Sequence, residues 1–227
     1  KWAGLDIYKD RNHLAIEEVA SAWVNADGLP DFGRTLMNLP FYSAMAFTLT
    51  YTAIVTPMTI ILGFIVAIVV NSVARSLRGP TIFFSLLPMI VTPLIGSLVL
   101  FWMIDAEGVL GATLQRIFDD PSLSLKASPA LTWLTLFVYG VWSSAPFAFI
   151  VFYAGLQTVP EETLEAAMID GATRWERIRY VVIPHLMPLV VFITLIQLMD
   201  NFRVFEPIVG FQAQASATSL SYIIYSD

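Results

Sequence analysis

The sequence predicts an all-α polytopic membrane protein, and three observations carry the prediction. Its 227 residues are 57% hydrophobic and only 13% charged, where ordinary soluble domains carry about a quarter charged residues. Four runs hold no Asp, Glu, Lys or Arg at all: 35–74, 79–104, 127–160 and 180–199. Between the last two lies a short segment dense in Glu, Asp and Arg, "EETLEAAMIDGATRWERIRYVVIPHLMP", Glu161 to Pro188. A helix needs roughly 20 apolar residues to cross about 30 Å of hydrocarbon. A charge at its centre costs about 2.5–3.5 kcal/mol on insertion scales. Four charge-free runs therefore read as four spans.

The same composition excludes several functions. A net charge of -6 opposes nucleic-acid binding, which rests on clustered Lys and Arg. With no cysteine there is no disulfide, thiol nucleophile or cysteine-based metal site. The start "KWAGLDIYKD" shows neither an initiator Met nor a signal peptide, and the end "SYIIYSD" is polar. Both are expected of a segment within a longer chain.

Taken in order, residues 1–40 are polar and acidic. Within them "NHLAIEEVASAWVNADGLPDFG" predicts a short surface helix, since Ile16, Val19 and Trp23 fall at i, i+3, i+7 and Gly28-Leu-Pro30 ends it. The first span covers 41–70 and carries Pro57, a kink that neighbouring helices tolerate. A turn, "NSVARSLRGP", leads to the second span at 81–104, with Pro88 and Pro93. The loop 105–129 contains "DAEGVLGATLQRIF", an amphipathic half-buried helix. The third span covers 130–157 and the fourth 184–205. The tail from 207 is uncharged but too polar for a span.

Lys and Arg favour the cytoplasmic side. Arg75 and Arg78 lie in the first turn, and Arg174, Arg177 and Arg179 in the charged segment, whereas the 105–129 loop holds only Arg116 and Lys126. Residues 72–80 and 158–182 thus share the cytoplasmic side. Residues 1–40, the 105–129 loop and the 207–227 tail lie outside.

Thr158-Val-Pro-Glu161 fits a helix start with a capping box, and three glutamates favour the positive end of its dipole. Asp170-Gly171 fits a glycine stop. Thr173-Arg-Trp-Glu176 repeats the start. The pattern predicts helix, glycine turn, helix at the cytoplasmic surface: a rigid knob suited to a socket on a partner.

The spacing of Glu165-Ala166-Ala167, Gly171, Val181, Ile183 and Pro184 resembles the coupling signature of permease subunits from binding-protein-dependent ABC importers. The usual Ile and Leu before the proline are Val181 and Ile183 here. "GLQTVPEETLEAAMIDGATRWERIRYVVIP" is similar to the carbohydrate-uptake class, the maltose/glycerol-phosphate permease family. "WAGLDIY", "NSVARSLRGPTIFFSLLPMIVTPLIGSLVLFWMI" and "NFRVFEPI" extend the likeness over most of the chain.

The resemblance implies a type I ABC importer transmembrane domain in the bacterial or archaeal cytoplasmic (inner) membrane. Four spans lie in this segment, and six are expected in the intact subunit. Glu165, Ala166, Ala167, Asp170, Gly171 and Pro184 would dock on a cytoplasmic ATPase dimer. A second, different permease subunit and an extracytoplasmic solute-binding protein would complete the assembly. The chain has no G-x-x-x-x-G-K-[ST] loop, so it would bind no cofactor itself; ATP and Mg would sit on the partner ATPase.

Polar groups inside spans are the default site candidates. Trp142, Ser143, Ser144 and Phe147 in the third span offer hydroxyls and aromatic faces. Gln197 and Asn201 share a face of the fourth with Val204, and Asp200 and Arg203 lie alongside as a possible ion pair. These types suit a sugar or related polyol, and by register the resemblance places Trp142, Ser143, Ser144, Phe147, Gln197 and Asn201 at sugar-contacting positions. Serine in spans also serves close helix packing. Rival readings are an importer for glycerol phosphate, with Arg203 on the anion, or for amino acids, an ion-coupled secondary transporter using Asp200, and a membrane scaffold. His185 reads as structural. The loop carboxylates Asp105, Glu107, Asp119 and Asp120 have no His or Cys beside them, which argues against catalytic or metal chemistry.

Overall fold

In the computed structural model, residues 14–26, 28–119, 124, 126 and 129–226 are described, and all regular structure among them is helical. His13 and Asn12, at the head of the expected surface helix, and Asp120 lie outside the described residues. The helices are α1 (Ile16–Asn25), α2 (Leu29–Met37), α3 (Pro40–Ser72), α4 (Arg75–Ile90), α5 (Pro93–Met103), α6 (Val109–Phe118) and α7 (Pro129–Leu156). They continue with α8 (Glu161–Ile169), α9 (Arg174–Arg177), α10 (Ile183–Phe202), α11 (Glu206–Gly210) and α12 (Leu220–Ser226).

Three helical stretches are long and apolar enough to cross a membrane: 40–72, 129–156 and 174–202. The 33 residues of α3 extend about 50 Å, more than the hydrocarbon core of about 30 Å. Pro57 lies inside α3 without ending it.

Four expectations need correction. The second span is not one helix: it breaks between Ile90 and Pro93, giving α4 and α5, and counts as a span only if the bent pair is taken together. Pro93 cannot donate to the preceding turn and disfavours helical geometry at Thr92, but is well placed to start a new helix. The turn "NSVARSLRGP" shrinks to Val73-Ala74, with Arg75 and Arg78 already inside α4. The surface helix stops at Asn25, ahead of Gly28-Leu-Pro30, but the segment is not a single helix. There α1 gives way to α2, with Pro30 in the first turn of the new helix. Finally, the second helix of the charged segment is the root of the last span. From α9 the chain passes through a π-turn (Ile178–Val182) into α10. Ile183 donates to Ile178 across the wider ring, and Pro184, having no N–H, leaves the next bond unmade.

The described chain forms two compact units. One comprises residues up to Ala53, Pro93–Phe137 and Asn201 onward. In it Phe47 packs edge to face on Trp133, with ring centres 4.9 Å apart, and Trp133 Nε1 donates to the Ser216 carbonyl at 2.8 Å. α11 lies on α5, where Gly210 meets Ser97 so closely that a Cβ would overlap its side chain. Thr48 Oγ1 accepts from Leu220 N at 3.2 Å, tying the tail to α3.

The other unit comprises Ile54–Thr92 and Val138–Asp200. Its core gathers Ala67, Val70, Ala148, Phe149, Phe152 and Leu186 among others. Lipid gives apolar side chains no reason to leave it, so helices in a membrane associate by close packing of small residues. Gly63 of α3 shows this: a Cβ there would sit 2.5 Å from the Ala148 Cβ and 2.8 Å from the Phe149 nitrogen. Only glycine lets α3 and α7 approach so closely.

Candidate functional site

The charged segment builds its knob from local hydrogen bonds. α8 starts after Pro160, whose backbone is extended and which makes no side-chain cap. The capping box expected from Thr158 to Glu161 therefore does not form. Thr158 Oγ1 instead donates to the Gly155 carbonyl at 2.8 Å, at the end of α7. At the other end the glycine stop forms in full. Gly171 has φ +81°, Gly171 N donates to Met168 O at 3.1 Å, and Ala172 N to Ala167 O at 2.9 Å. This is the pair of bonds that closes a helix through a left-handed glycine.

The second box forms as the sequence predicts. Thr173 N and Oγ1 both donate to Glu176 Oε2 at 2.7 Å, and Glu176 N donates back to Thr173 Oγ1 at 3.3 Å. Glu165, Ala166, Asp170 and Gly171 are exposed, and Ala167 and Pro184 are not in the core. Leu164 turns inward onto the core. Met168, Ile169, Trp175 and Tyr180 are exposed apolar side chains on this segment, Ile169 to 86%. Sequence reasoning places Trp175 on one helical face with Ile178 and Val182 but does not single out Met168, Ile169 or Tyr180, although apolar residues set among charges outside the spans were the available signal.

Short ties fix the knob to its own unit. Gln157 Nε2 donates to Asn71 Oδ1 at 3.1 Å, and Arg78 caps the end of α3 through Val73 O at 3.0 Å and Asn71 O at 2.9 Å. His185 Nε2 lies 3.1 Å from Thr158 Oγ1. Gly155 abuts Leu186 and Leu189 with no room for a Cβ.

Of the membrane candidates, Trp142 is exposed and lines a cleft of about 180 Å³ with Leu62, Phe84, Ser85, Pro88 and Pro146 among others. Ser143 is half-buried and donates to Gly140 O at 3.2 Å. Phe147 is not free to meet a ligand with its whole face, because it packs against the core. Gln197 is buried and its amide reaches Ser144 O at 3.4 Å. The structure therefore brings the 142–147 stretch and Gln197 together, through backbone as well as side chains. Asn201 is buried near the end of α10; Val204 is buried too, but α10 stops at Phe202, so Val204 does not extend the expected helical face. Asp200 and Arg203 are exposed.

The loop carboxylate Asp105 is engaged elsewhere. Lys126 Nζ lies 2.6 Å from its Oδ2 and 3.4 Å from the centre of the Phe101 ring. The hydrogen bond and charge of Lys126, with the Ala106 and Glu107 backbone amides, hold the Asp105 carboxyl below the usual carboxylate range.

Long apolar helices, small-residue contacts and a charged segment between two membrane-crossing stretches define a multi-span membrane protein. Residues 59–205 match the family described as binding-protein-dependent transport system inner membrane component, and the chain belongs to that family. It is 30% identical over 187 residues to the inner membrane ABC transporter permease protein YcjO of Escherichia coli (strain K12), covering 80% of this chain and 62% of YcjO. It is 25% identical over 202 residues to the trehalose/maltose transport system permease protein MalF of Thermococcus litoralis, covering 88% of this chain and 68% of that protein. The chain thus spans about three fifths of the length of YcjO. Among solved structures it is similar to a chain of a bacterial alginate ABC transporter crystallised with an alginate pentasaccharide-bound periplasmic protein. The TM-score is 0.66 and the identity 22%, over 94% of this chain and 73% of that one. The fold is that of a type I importer transmembrane domain.

Proposed function

We propose that this chain is the permease subunit of an ATP-driven importer for a sugar or related polyol. A solute-binding protein delivers the substrate, and a separate cytoplasmic ATPase supplies the energy. One observation carries the reading: α8, with Glu165 exposed and Met168 and Ile169 uncovered beside it, projects between two membrane-crossing stretches. It is stiffened by the Gly171 turn and the Thr173–Glu176 box. An apolar surface outside the bilayer is suited to burial against protein, and the chain has no phosphate-binding loop of its own.

Glu165, Ala166, Ala167, Asp170 and Gly171 form the docking element. Pro184, just beyond the π-turn, sets where the knob joins the last span. Movement of the ATPase displaces the knob, and the ties at Asn71, Thr158 and His185 pass that displacement to the spans. Trp142, Ser143, Ser144, Phe147, Gln197, Asp200, Asn201 and Arg203 remain the candidates for substrate contact, Trp142 foremost because it lines an open cleft. The membrane is the cytoplasmic (inner) membrane, in keeping with the family.

The test is to purify the intact complex and titrate candidate sugars against its ATPase rate, with the wild type and with Glu165→Lys and Gly171→Val. Substrate-stimulated hydrolysis that both variants abolish supports the reading. A complex that holds no ATPase subunit, or one in which both variants couple normally, overturns it.

A further inference from the structure

The amphipathic pair α1 and α2 is not used by the transport mechanism above. On α1, Ile16, Ala20 and Trp23 fall at i, i+4, i+7 and all three are exposed. On α2, Leu29, Phe32 and Leu36 recur at i, i+3, i+7. Spacings of this kind place side chains on one face of a helix. The Trp23 and Phe32 rings meet edge to face with centres 5.1 Å apart, so the two apolar faces join into one surface. Nothing among the described residues covers it: Trp23 is 63% exposed, Val24 81% and Leu29 75%. The other flank is polar, an open cleft lined by Glu18, Ser21, Asn25, Asp31, Thr35 and Asn38. The hairpin as a whole therefore has an oily side and a wet side.

We infer that α1–α2 is an interfacial element whose oily side lies in the lipid leaflet at the head of α3. Its attachment chooses this occupant. Only Asn38 and Leu39 separate α2 from α3, and Tyr42 Oη donates to the Leu14 carbonyl at 3.1 Å, which ties the near end of α1 to the first turns of α3. α3 exceeds the hydrocarbon core by about 20 Å, so its ends stand in the headgroup layers. Met37 at the end of α2 and Leu49 on α3 are exposed apolar side chains as well. Trp at this level suits the membrane–water boundary, and helices of this kind bury their apolar face about 5–10 Å deep. The sequence from 16 to 37 carries Glu17, Glu18, Asp27 and Asp31 against Arg34, so burial holds it to zwitterionic lipid, with no pull from anionic headgroups.

The absence of cysteine from these 227 residues makes the test direct. Single cysteines are introduced as Trp23→Cys, Val24→Cys and Leu29→Cys on the oily side and as Ser21→Cys and Thr35→Cys on the wet side. Each carries a nitroxide in the full-length permease complex, reconstituted in phosphatidylcholine vesicles. Collision with oxygen is compared with collision with a water-soluble nickel chelate. Oxygen dominates at 23, 24 and 29 and nickel at 21 and 35 if the inference holds. Nickel access at 23, 24 and 29 equal to that at 21 and 35 overturns it. Suppression of both reagents at 23, 24 and 29 overturns it too, because a protein surface then covers the hairpin. Three positions on the oily side keep the test open should one variant fail to assemble.

Discussion

His185 donates to Thr158: the Thr158 hydroxyl hydrogen is committed to the Gly155 carbonyl at 2.8 Å, so at 3.1 Å the imidazole Nε2 must supply the proton. A single hydroxyl hydrogen cannot serve both neighbours. The foot of the last span is thereby tied to the end of α7, just before the knob.

This assignment has a direct check. Nitrogen-15 shifts of the neutral His185 ring are expected to place its proton on Nε2, and Thr158→Val should abolish that preference. The lost bond is worth about 0.5–1.5 kcal/mol, so assembly survives while the exchange of amides near 155–158 quickens.

Gly171 and Gly79 should respond in opposite ways to a methyl group. Gly171 has φ +81°, a conformation that costs other residues about 1–2 kcal/mol. Gly171→Ala is expected to lower thermal stability and weaken stimulation of the ATPase. Gly79, inside α4 with nothing within 4 Å of a built Cβ, should tolerate Gly79→Ala or gain about 0.5–1 kcal/mol. Melting curves of the two variants in one detergent decide the matter.

Gly63→Ala is expected to be severe for so small a change. The added carbon meets Ala148 Cβ at 2.5 Å and backbone atoms at 2.8 Å and 2.9 Å, and backbone cannot swing aside as a side chain can. Overpacking of this kind costs about 1–3 kcal/mol. A drop in melting temperature, partly restored by Ala148→Gly in the same chain, is the expected result.

The Asp105–Lys126 pair predicts an acid-sensitive loop. Because the folded carboxyl titrates below its unfolded value, its stabilising contribution is complete above the ordinary carboxylate range and disappears as pH falls through the lowered folded value. In Lys126→Met the Asp105 carboxyl should titrate higher, as followed by carbon-13 NMR. A titration unchanged by that substitution refutes the assignment of cause.

Much of the fold is legible in the charge-free runs, since exclusion of charge is a bulk property of the bilayer. The three unbroken membrane-crossing stretches follow them closely. Local hydrogen bonding is less legible. Thr158-x-x-Glu161 and Thr173-x-x-Glu176 look alike, but only the second is in frame with its helix. Pro160 stays extended and delays α8, and the Thr158 backbone N–H and hydroxyl both turn back to the Gly155 carbonyl of α7. The break at 91–92 is hidden in an oily run because Val91 and Thr92 are ordinary membrane residues, and two prolines close by did not say which would stop the helix. At the candidate site the glycine turn at Gly171 and the Thr173–Glu176 box were legible as local patterns, whereas the commitment of Phe147 to the core and of Gln197 to Ser144 depends on how α7 and α10 pack, which spacing along one stretch of chain does not encode.

The interruption at Val91–Thr92 carries a requirement of its own. Both residues are exposed in the isolated subunit, and a helix that stops at membrane depth leaves carbonyls and amides that fatty-acid tails cannot solvate. Whichever side of the subunit they occupy must then be bathed by an aqueous path or sealed by a neighbouring polypeptide. Where α4 and α5 together make one span, the break marks a flank from which the acyl chains are barred.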